Sequence, residues 1–117
     1  MADLGFMGIM VNPKYGGSGM DTVSYAILME ELSKVDASAA VIVYVNNSLV
    51  CFGLEAFGSE FQKQKYLTKL ATGEFIGAFC LSEPEAGSNA TSQKTSALDK
   101  GDYYLLNGTK NWITNGG

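Results

Sequence analysis

Histidine and arginine are absent from the 117 residues, and cysteine, proline and tryptophan number only two, two and one. Without histidine there is no His-assisted nucleophile and no His-ligated metal. Cys51 and Cys80 stand alone, match no zinc spacing and make no disulfide framework, a pattern that suits a reducing compartment. Eight lysines face twelve acidic residues, for a formal net charge of -4. That balance gives no electrostatic reason to expect nucleic acid or an anionic membrane surface as a partner. Long apolar runs are missing as well. The longest, Ala37 to Val45 with one serine, falls short of the roughly 20 residues that span a bilayer, so a soluble protein is expected. No basic segment followed by an apolar stretch opens the sequence, so no secretory leader is expected. There is no internal repeat and no low-complexity segment. The length suits one ordinary domain or a piece of a longer protein.

What is present divides near Gly73, with helical patterns before it and strand and turn signals after it. Gly16-Gly17-Ser18-Gly19 reads as a flexible loop, and Asp21 as the cap of a helix running to about Val35. Val23, Ala26, Ile27, Met29 and Leu32 make that helix apolar on more than one side, which predicts burial on several faces. Ala37 to Leu54 has strand propensity at Val41-Ile42-Val43-Tyr44-Val45. Its length, the absence of glycine before Gly53, and Asp36 and Ser38 as caps favour a helix. Ser59-Glu60-Phe61-Gln62 has the form of a capping box and Gly73 that of a C-terminal cap. Between them, Phe61, Tyr66, Leu67 and Leu70 supply the apolar side, with Lys63, Lys65 and Lys69 toward water. Beyond Gly73, Phe75 to Leu81 predicts a buried strand, Glu83 to Asn89 a loop, and Thr91 to Leu98 a second strand. Asp99 to Asp102 turns the chain, Tyr103 to Leu106 extends it, and Asn107-Gly108 predicts a hairpin into a strand carrying Trp112.

Two segments carry the chemistry: Phe79-Cys80-Leu81-Ser82-Glu83-Pro84-Glu85-Ala86-Gly87-Ser88-Asn89, and Asn107-Gly108-Thr109-Lys110-Asn111-Trp112-Ile113-Thr114-Asn115-Gly116-Gly117. Taken singly, Ser82 is a turn residue, Gly87-Ser88 a loop and Trp112 a core aromatic. Together, and in this order, they resemble the flavin-binding middle domain of the acyl-CoA dehydrogenases, where a Leu-Ser-Glu-Pro and a Trp-Ile-Thr stretch hold the FAD. Gly8-Ile9-Met10-Val11, Pro13, Tyr15 to Gly19, Glu30-Glu31-Leu32 and Asp36-Ala37-Ser38 resemble the helical N-terminal domain of the same family. Asn46-Asn47-Ser48-Leu49 is closest to the short-chain, butyryl-type branch, although a polar quartet inside a helix also satisfies local hydrogen bonds.

The resemblance implies an α+β chain with an incomplete fold. Residues 1–73 would be part of an N-terminal all-α domain and residues 74–117 the first strands of a β-barrel-like flavin domain, with the C-terminal helical domain absent. It also implies that Phe79, Leu81 and Ser82 lie along the flavin and that Gly87 and Ser88 approach the nucleotide, Ser88 also contacting the CoA part of the substrate. Trp112 and Ile113 would pack on the ring system, with the Thr114 hydroxyl near flavin N5. The implied reaction converts an acyl-CoA to the trans-2-enoyl-CoA, with electron-transferring flavoprotein as acceptor, a homotetrameric assembly, and the bacterial cytoplasm or mitochondrial matrix as its place. The family's catalytic base belongs to its C-terminal domain, so no catalytic residue is expected in this chain. Glu83 and Glu85 are not proposed for that role, because acidic residues in proline-containing loops are usually solvated or bonded to nearby amides. Asn89 stands where the family usually has aspartate, which puts any ion pair there in doubt. Asn12-Pro13 is a local loop change. An acyl-CoA oxidase-type enzyme and a non-catalytic module of the same fold are the alternatives.

Overall fold

A computed structural model describes all residues, 1–117. The first fifteen residues form three single 3-10 turns, Ala2–Leu4, Phe6–Gly8 and Pro13–Tyr15. Three helices follow: α1 (Thr22–Val35), α2 (Ala37–Phe57) and α3 (residues 60–71). The rest is extended or turned, apart from a 3-10 turn at Ala90–Ser92 and a two-stranded antiparallel hairpin, β1 (Ser96–Asp99) with β2 (Tyr104–Asn107).

Side chains acting on orphan backbone groups set the helix boundaries. Asp21 accepts from the Ser24 amide at 2.8 Å and starts α1. Asp36 ends α1 by donating its amide to the Leu32 carbonyl, and starts α2 by accepting from the Ser38 and Ala39 amides. The Ser59 box is complete, with the Ser59 amide on Gln62 Oε1 at 2.8 Å and the Gln62 amide on Ser59 Oγ at 3.3 Å. Gly73 closes the helical part at φ 78, a left-handed conformation that glycine adopts without a Cβ penalty.

The glycine loop before α1 differs from the expected flexible connector. Its Ser18, Gly19 and Met20 amides donate to the carbonyls of Gly8, Val11 and Ile9 at 2.8–3.0 Å. It is thereby stitched to the first fifteen residues.

Helix α2 runs past the expected end at Leu54 and has π-type winding over Val45–Cys51. At 21 residues and a mean hydropathy of 1.6 it is long and apolar enough to cross a bilayer by those two measures. The apolar run measured in the sequence covered only its first part. Its middle nevertheless holds two fully buried asparagines, Asn46 at 0 % and Asn47 at 1 % exposure, bonded to other parts of the chain, which makes it the central helix of a packed layer. The core cluster beside it joins Val11, Tyr15, Cys51, Leu67, Leu70 and Ala71, with Val50 and Leu54 against it.

Several expected apolar faces are not covered. On α1 only Tyr25 is buried, while Val23, Ala26 and Ile27 are exposed and Met29 and Leu32 half-buried. On α3 Leu67 and Leu70 are buried but Phe61 and Tyr66 face solvent, where Lys65 Nζ sits 5.4 and 5.1 Å from their ring centroids. Such lysine-ring contacts cover exposed aromatic faces at little cost.

The strand expectations need correction at three points. Phe75 to Leu81 is extended but unpaired as a ladder, and Phe75, Ile76, Phe79 and Leu81 are exposed. Thr91 to Leu98 begins with the 3-10 turn and is a strand only from Ser96. Asn107-Gly108 ends β2 rather than turning into a further strand. The hairpin instead closes through the Lys100 amide on the Tyr103 carbonyl and Gly101 at φ 90. The physical reason is shared. A strand exists only with a ladder partner, and two strands with no covered face are all that pair here. The result is a helical layer followed by the beginning of a β region, an incomplete fold.

Candidate functional site

The two motif segments lie side by side and run in opposite directions. The Asn111 amide donates to the Ser82 carbonyl at 2.9 Å, and Asn115 Nδ2 donates to the Gly77 carbonyl at 3.0 Å. Between these ties, Lys110 Nζ reaches the Leu81 carbonyl at 3.1 Å and Gln93 Nε2 reaches the same carbonyl at 2.5 Å. The chain is thus brought together at the positions named from the sequence, by isolated hydrogen bonds rather than by a sheet.

Glu83 organises the turn that follows. Its backbone exchanges two hydrogen bonds with Ala86, both at 3.1 Å. Its carboxylate, nearly buried, accepts from Lys110 Nζ at 2.8 Å, the Lys94 amide at 2.6 Å and the Thr95 amide at 3.1 Å. These donors, Lys110 first, hold the carboxyl down at about 2, from an ordinary 4.5. A charged group satisfied in this way is a structural clamp and a poor proton acceptor. Glu85, on the exposed side of the same turn, pairs with Lys94. The sequence reading of both residues as loop acids bonded to their surroundings holds.

Other polar groups along the segments are uncommitted. The hydroxyls of Ser82, Ser88 and Thr114 make no hydrogen bond within the chain, and Ser88 is exposed. Gly87 has no atom within 4 Å of where a Cβ would stand. Trp112 is 95 % exposed and its backbone has φ 57, a strained region for a bulky aromatic. The ring stands in solvent, where a core aromatic would be covered. Phe79 and Leu81 are also exposed, and Ile113 and Thr114 are half-buried. Asn89 forms a local knot, accepting from Thr91 Oγ1 and donating to Ser92 Oγ, both at 2.6 Å, and does not cap the backbone of the turn that follows.

Next to these segments a cleft of about 650 Å³ is lined by Ile42 of α2, Ile76, Ile113, Asn115 and the two glycines after it. Open donors, an uncovered aromatic face and an apolar cleft are what a planar heterocycle with a phosphate tail requires. The residues present fit a flavin nucleotide.

Sequence reasoning placed Asn46 and Asn47 in a helix but not at a junction. Asn47 Nδ2 donates to the Phe6 and Val43 carbonyls, and its Oδ1 accepts from the Ile9 amide, at 2.9–3.0 Å. Asn46 Nδ2 donates to the carbonyls of Met7 at 2.8 Å and Leu70 at 3.2 Å, and its Oδ1 accepts from the Gly77 amide at 2.8 Å. Only the Val43 bond and a longer contact of Asn46 Nδ2 with Cys51 Sγ at 3.7 Å are local. The signal available in the sequence was two adjacent amides in an otherwise apolar helix, which have to find partners when buried.

A helical layer leads into paired polar segments with a free aromatic face, and comparison with known proteins assigns this arrangement to a family. Residues 1–74 match the family described as acyl-CoA dehydrogenase, N-terminal domain, and residues 78–117 match acyl-CoA dehydrogenase, middle domain. The chain belongs to the acyl-CoA dehydrogenase family, a family of flavoprotein oxidoreductases. It is 49 % identical over 117 residues to a short-chain specific acyl-CoA dehydrogenase of Clostridium acetobutylicum, covering all of this chain and 31 % of that protein. Among solved structures, butyryl-CoA dehydrogenase of Megasphaera elsdenii superposes with a TM-score of 0.92 at 43 % identity, over 99 % of this chain and 31 % of that one. A chain in the structure of the electron transferring flavoprotein of Acidaminococcus fermentans reaches 0.96 at 49 % identity, over 99 % and 30 %. A glutaryl-CoA dehydrogenase of Mycobacterium smegmatis solved with FADH2 reaches 0.92 at 41 % identity, over 97 % and 29 %. The chain thus spans about a third of the length of the relatives it matches.

Proposed function

We propose that the polypeptide carrying these residues is an FAD-dependent acyl-CoA dehydrogenase of short-chain type and that residues 1–117 supply one wall of its flavin and CoA site. The observation that carries this reading is the apposition of residues 77–83 with 110–115, which leaves the Ser82 and Thr114 hydroxyls free and the Trp112 ring bare. Bound FAD would supply a hydride acceptor for the substrate's β-hydrogen. Ser82 and Thr114 would donate hydrogen bonds to the polar edge of its ring, with Phe79, Leu81, Trp112 and Ile113 as apolar surroundings. Gly87 and Ser88 would hold the pyrophosphate, and Ser88 would also contact the CoA moiety. The open space at Gly87 and the uncommitted Ser88 hydroxyl support this assignment.

Neither acid in the motif serves as the base. Glu83 is held ionised by three donors at about 2 and is saturated with partners. A general base needs a free lone pair and a pKa near the working pH. The resemblance to the family puts the base outside residues 1–117, which would form parts of an N-terminal helical domain (1–73) and a middle domain (74–117). The similarity to a chain from an electron transferring flavoprotein structure supports that flavoprotein as electron acceptor. The exposed Val23 and Ile27 of α1 and Phe61 of α3 support burial against further domains or subunits, and the family resemblance implies a homotetramer in bacterial cytoplasm or mitochondrial matrix.

The test is dehydrogenation of butyryl-CoA with an artificial electron acceptor. The complete polypeptide is expected to turn over with a stoichiometric flavin, and residues 1–117 alone are expected to show no turnover. Appreciable turnover by residues 1–117 would refute the placement of the base, and a complete polypeptide purified without flavin would refute the family activity for this protein. Rapid reoxidation by oxygen would identify an oxidase instead.

A further inference from the structure

We propose that Asn46 is a positioning residue for the flavin wall, acting through the Gly77 peptide; this rests on the reading of residues 77–83 and 110–115 as that wall. Gly77 is gripped from two sides, through the two peptide groups that flank its Cα. Its amide donates to Asn46 Oδ1 in the helical layer at 2.8 Å, and its carbonyl accepts from Asn115 Nδ2, one residue beyond Thr114, at 3.0 Å. Gly77 is buried, and a Cβ there would stand 2.7–2.9 Å from three atoms of Val50 on α2. The extended segment can therefore approach α2 this closely only because the residue is glycine.

Asn46 is itself fixed. Both of its amide hydrogens are used on Met7 and Leu70, and its exposure is 0 %. The π-type winding of α2 brings Asn46 and Asn47 inward together. Wide turns of this kind are rare in helices and recur at functional positions. The hydrogen bonds of Asn47 stay within α2 and the first nine residues, whereas Asn46 also reaches Gly77, two residues before the first motif segment. A shift of Gly77 moves Phe79 to Ser82 through the chain, and Ile113 and Thr114 through Asn115. One buried amide thus sets the distance between the helical layer and both motif segments.

The test compares Asn46→Ala, Asn115→Ala and the double variant in the complete polypeptide by amide hydrogen exchange and by FAD titration. Exchange at Gly77 and at Asn111, whose amide is bound to Ser82, is expected to rise at least about tenfold in Asn46→Ala relative to amides in the middle of α1. Asn115→Ala leaves every bond of the helical layer in place and is expected to raise exchange at Gly77. The FAD dissociation constant is expected to rise about tenfold in each single variant, with a shifted flavin absorption band. The double variant is expected to add little, because both side chains act on one residue. If Asn111 stays protected while the stability of α1 falls, Asn46 is only a core residue and the proposal is overturned. Strict additivity in FAD affinity overturns it as well. The exchange readout needs no flavin, so a polypeptide that takes none would defeat the flavin reading while Asn46 is still judged by Asn111.

Discussion

Asn47→Leu isolates the contribution of a buried polar group that serves the helical layer alone. Leucine is the larger side chain, so the substitution leaves no cavity and removes three hydrogen bonds of 2.9–3.0 Å. The Val43 carbonyl lies in α2 itself, whereas the buried Ile9 amide and the half-buried Phe6 carbonyl lose the side-chain partner that ties them to α2. Each such group costs about 1–3 kcal/mol when left unpaired. Burying the added apolar surface offsets about 1–2 kcal/mol of that. The expected loss is about 2–4 kcal/mol. With an m-value of about 1.5 kcal/mol/M for a chain of this size, the urea midpoint followed by far-UV circular dichroism should fall by about 2 M. Exchange of the Ile9 amide should rise in parallel. A midpoint shift under about 0.5 M would refute the view that these bonds hold the first nine residues to α2.

Three further outcomes follow from the same geometry. Glu83 has a folded pKa held down to about 2 against 4.5 unfolded, so its stabilisation is complete above about pH 4.5 and is lost as pH falls toward 2. The emission of Trp112, the chain's single tryptophan, should report loosening over that window, and Glu83→Gln should remove its pH dependence. Gly87→Ala meets no atom in the chain and needs no left-handed backbone, so the melting temperature should hold or rise slightly, by the equivalent of about 0.4–1 kcal/mol. FAD affinity should fall in the same variant, and unchanged affinity would remove Gly87 from the nucleotide site. Cys51 is fully buried and its thiol is pushed up to about 12 by burial, whereas Cys80 is exposed. A thiol reagent at pH 8 should therefore modify one cysteine per 117-residue chain quickly and the second only on unfolding.

The helical layer was legible because its boundaries are local chemistry. Asp21, Asp36, the Ser59 and Gln62 pair and Gly73 each act on backbone groups within a turn of themselves, and the structure shows each at work. What failed were statements about cover. Val23, Ile27 and Phe61 have core-like side chains, but whether they are buried depends on partners distant in sequence. The same dependence undid the strand at Phe75 to Leu81, where a strand needs a neighbour to pair with. The hairpin assigned to Asn107-Gly108 failed through competition: the following residues tie to Gly77, Leu81 and Ser82 instead. At the candidate site, motif order picked out two segments that the structure ties together. It could not reveal the strain at Trp112 or the grip on Gly77, both products of tertiary geometry rather than of residue type.

The central claim is that residues 79–88 and 112–114 hold FAD, and its most direct measurement is the flavin content of the complete polypeptide and of its Trp112→Gly variant. Glycine relieves the φ 57 strain and removes a ring that touches little of the chain, so the fold should be kept. The account expects one flavin per polypeptide in the unaltered protein, from absorbance near 450 nm, and a marked loss in the variant with no loss of thermal stability. A flavin-free protein, or a variant that keeps its full flavin, would contradict it.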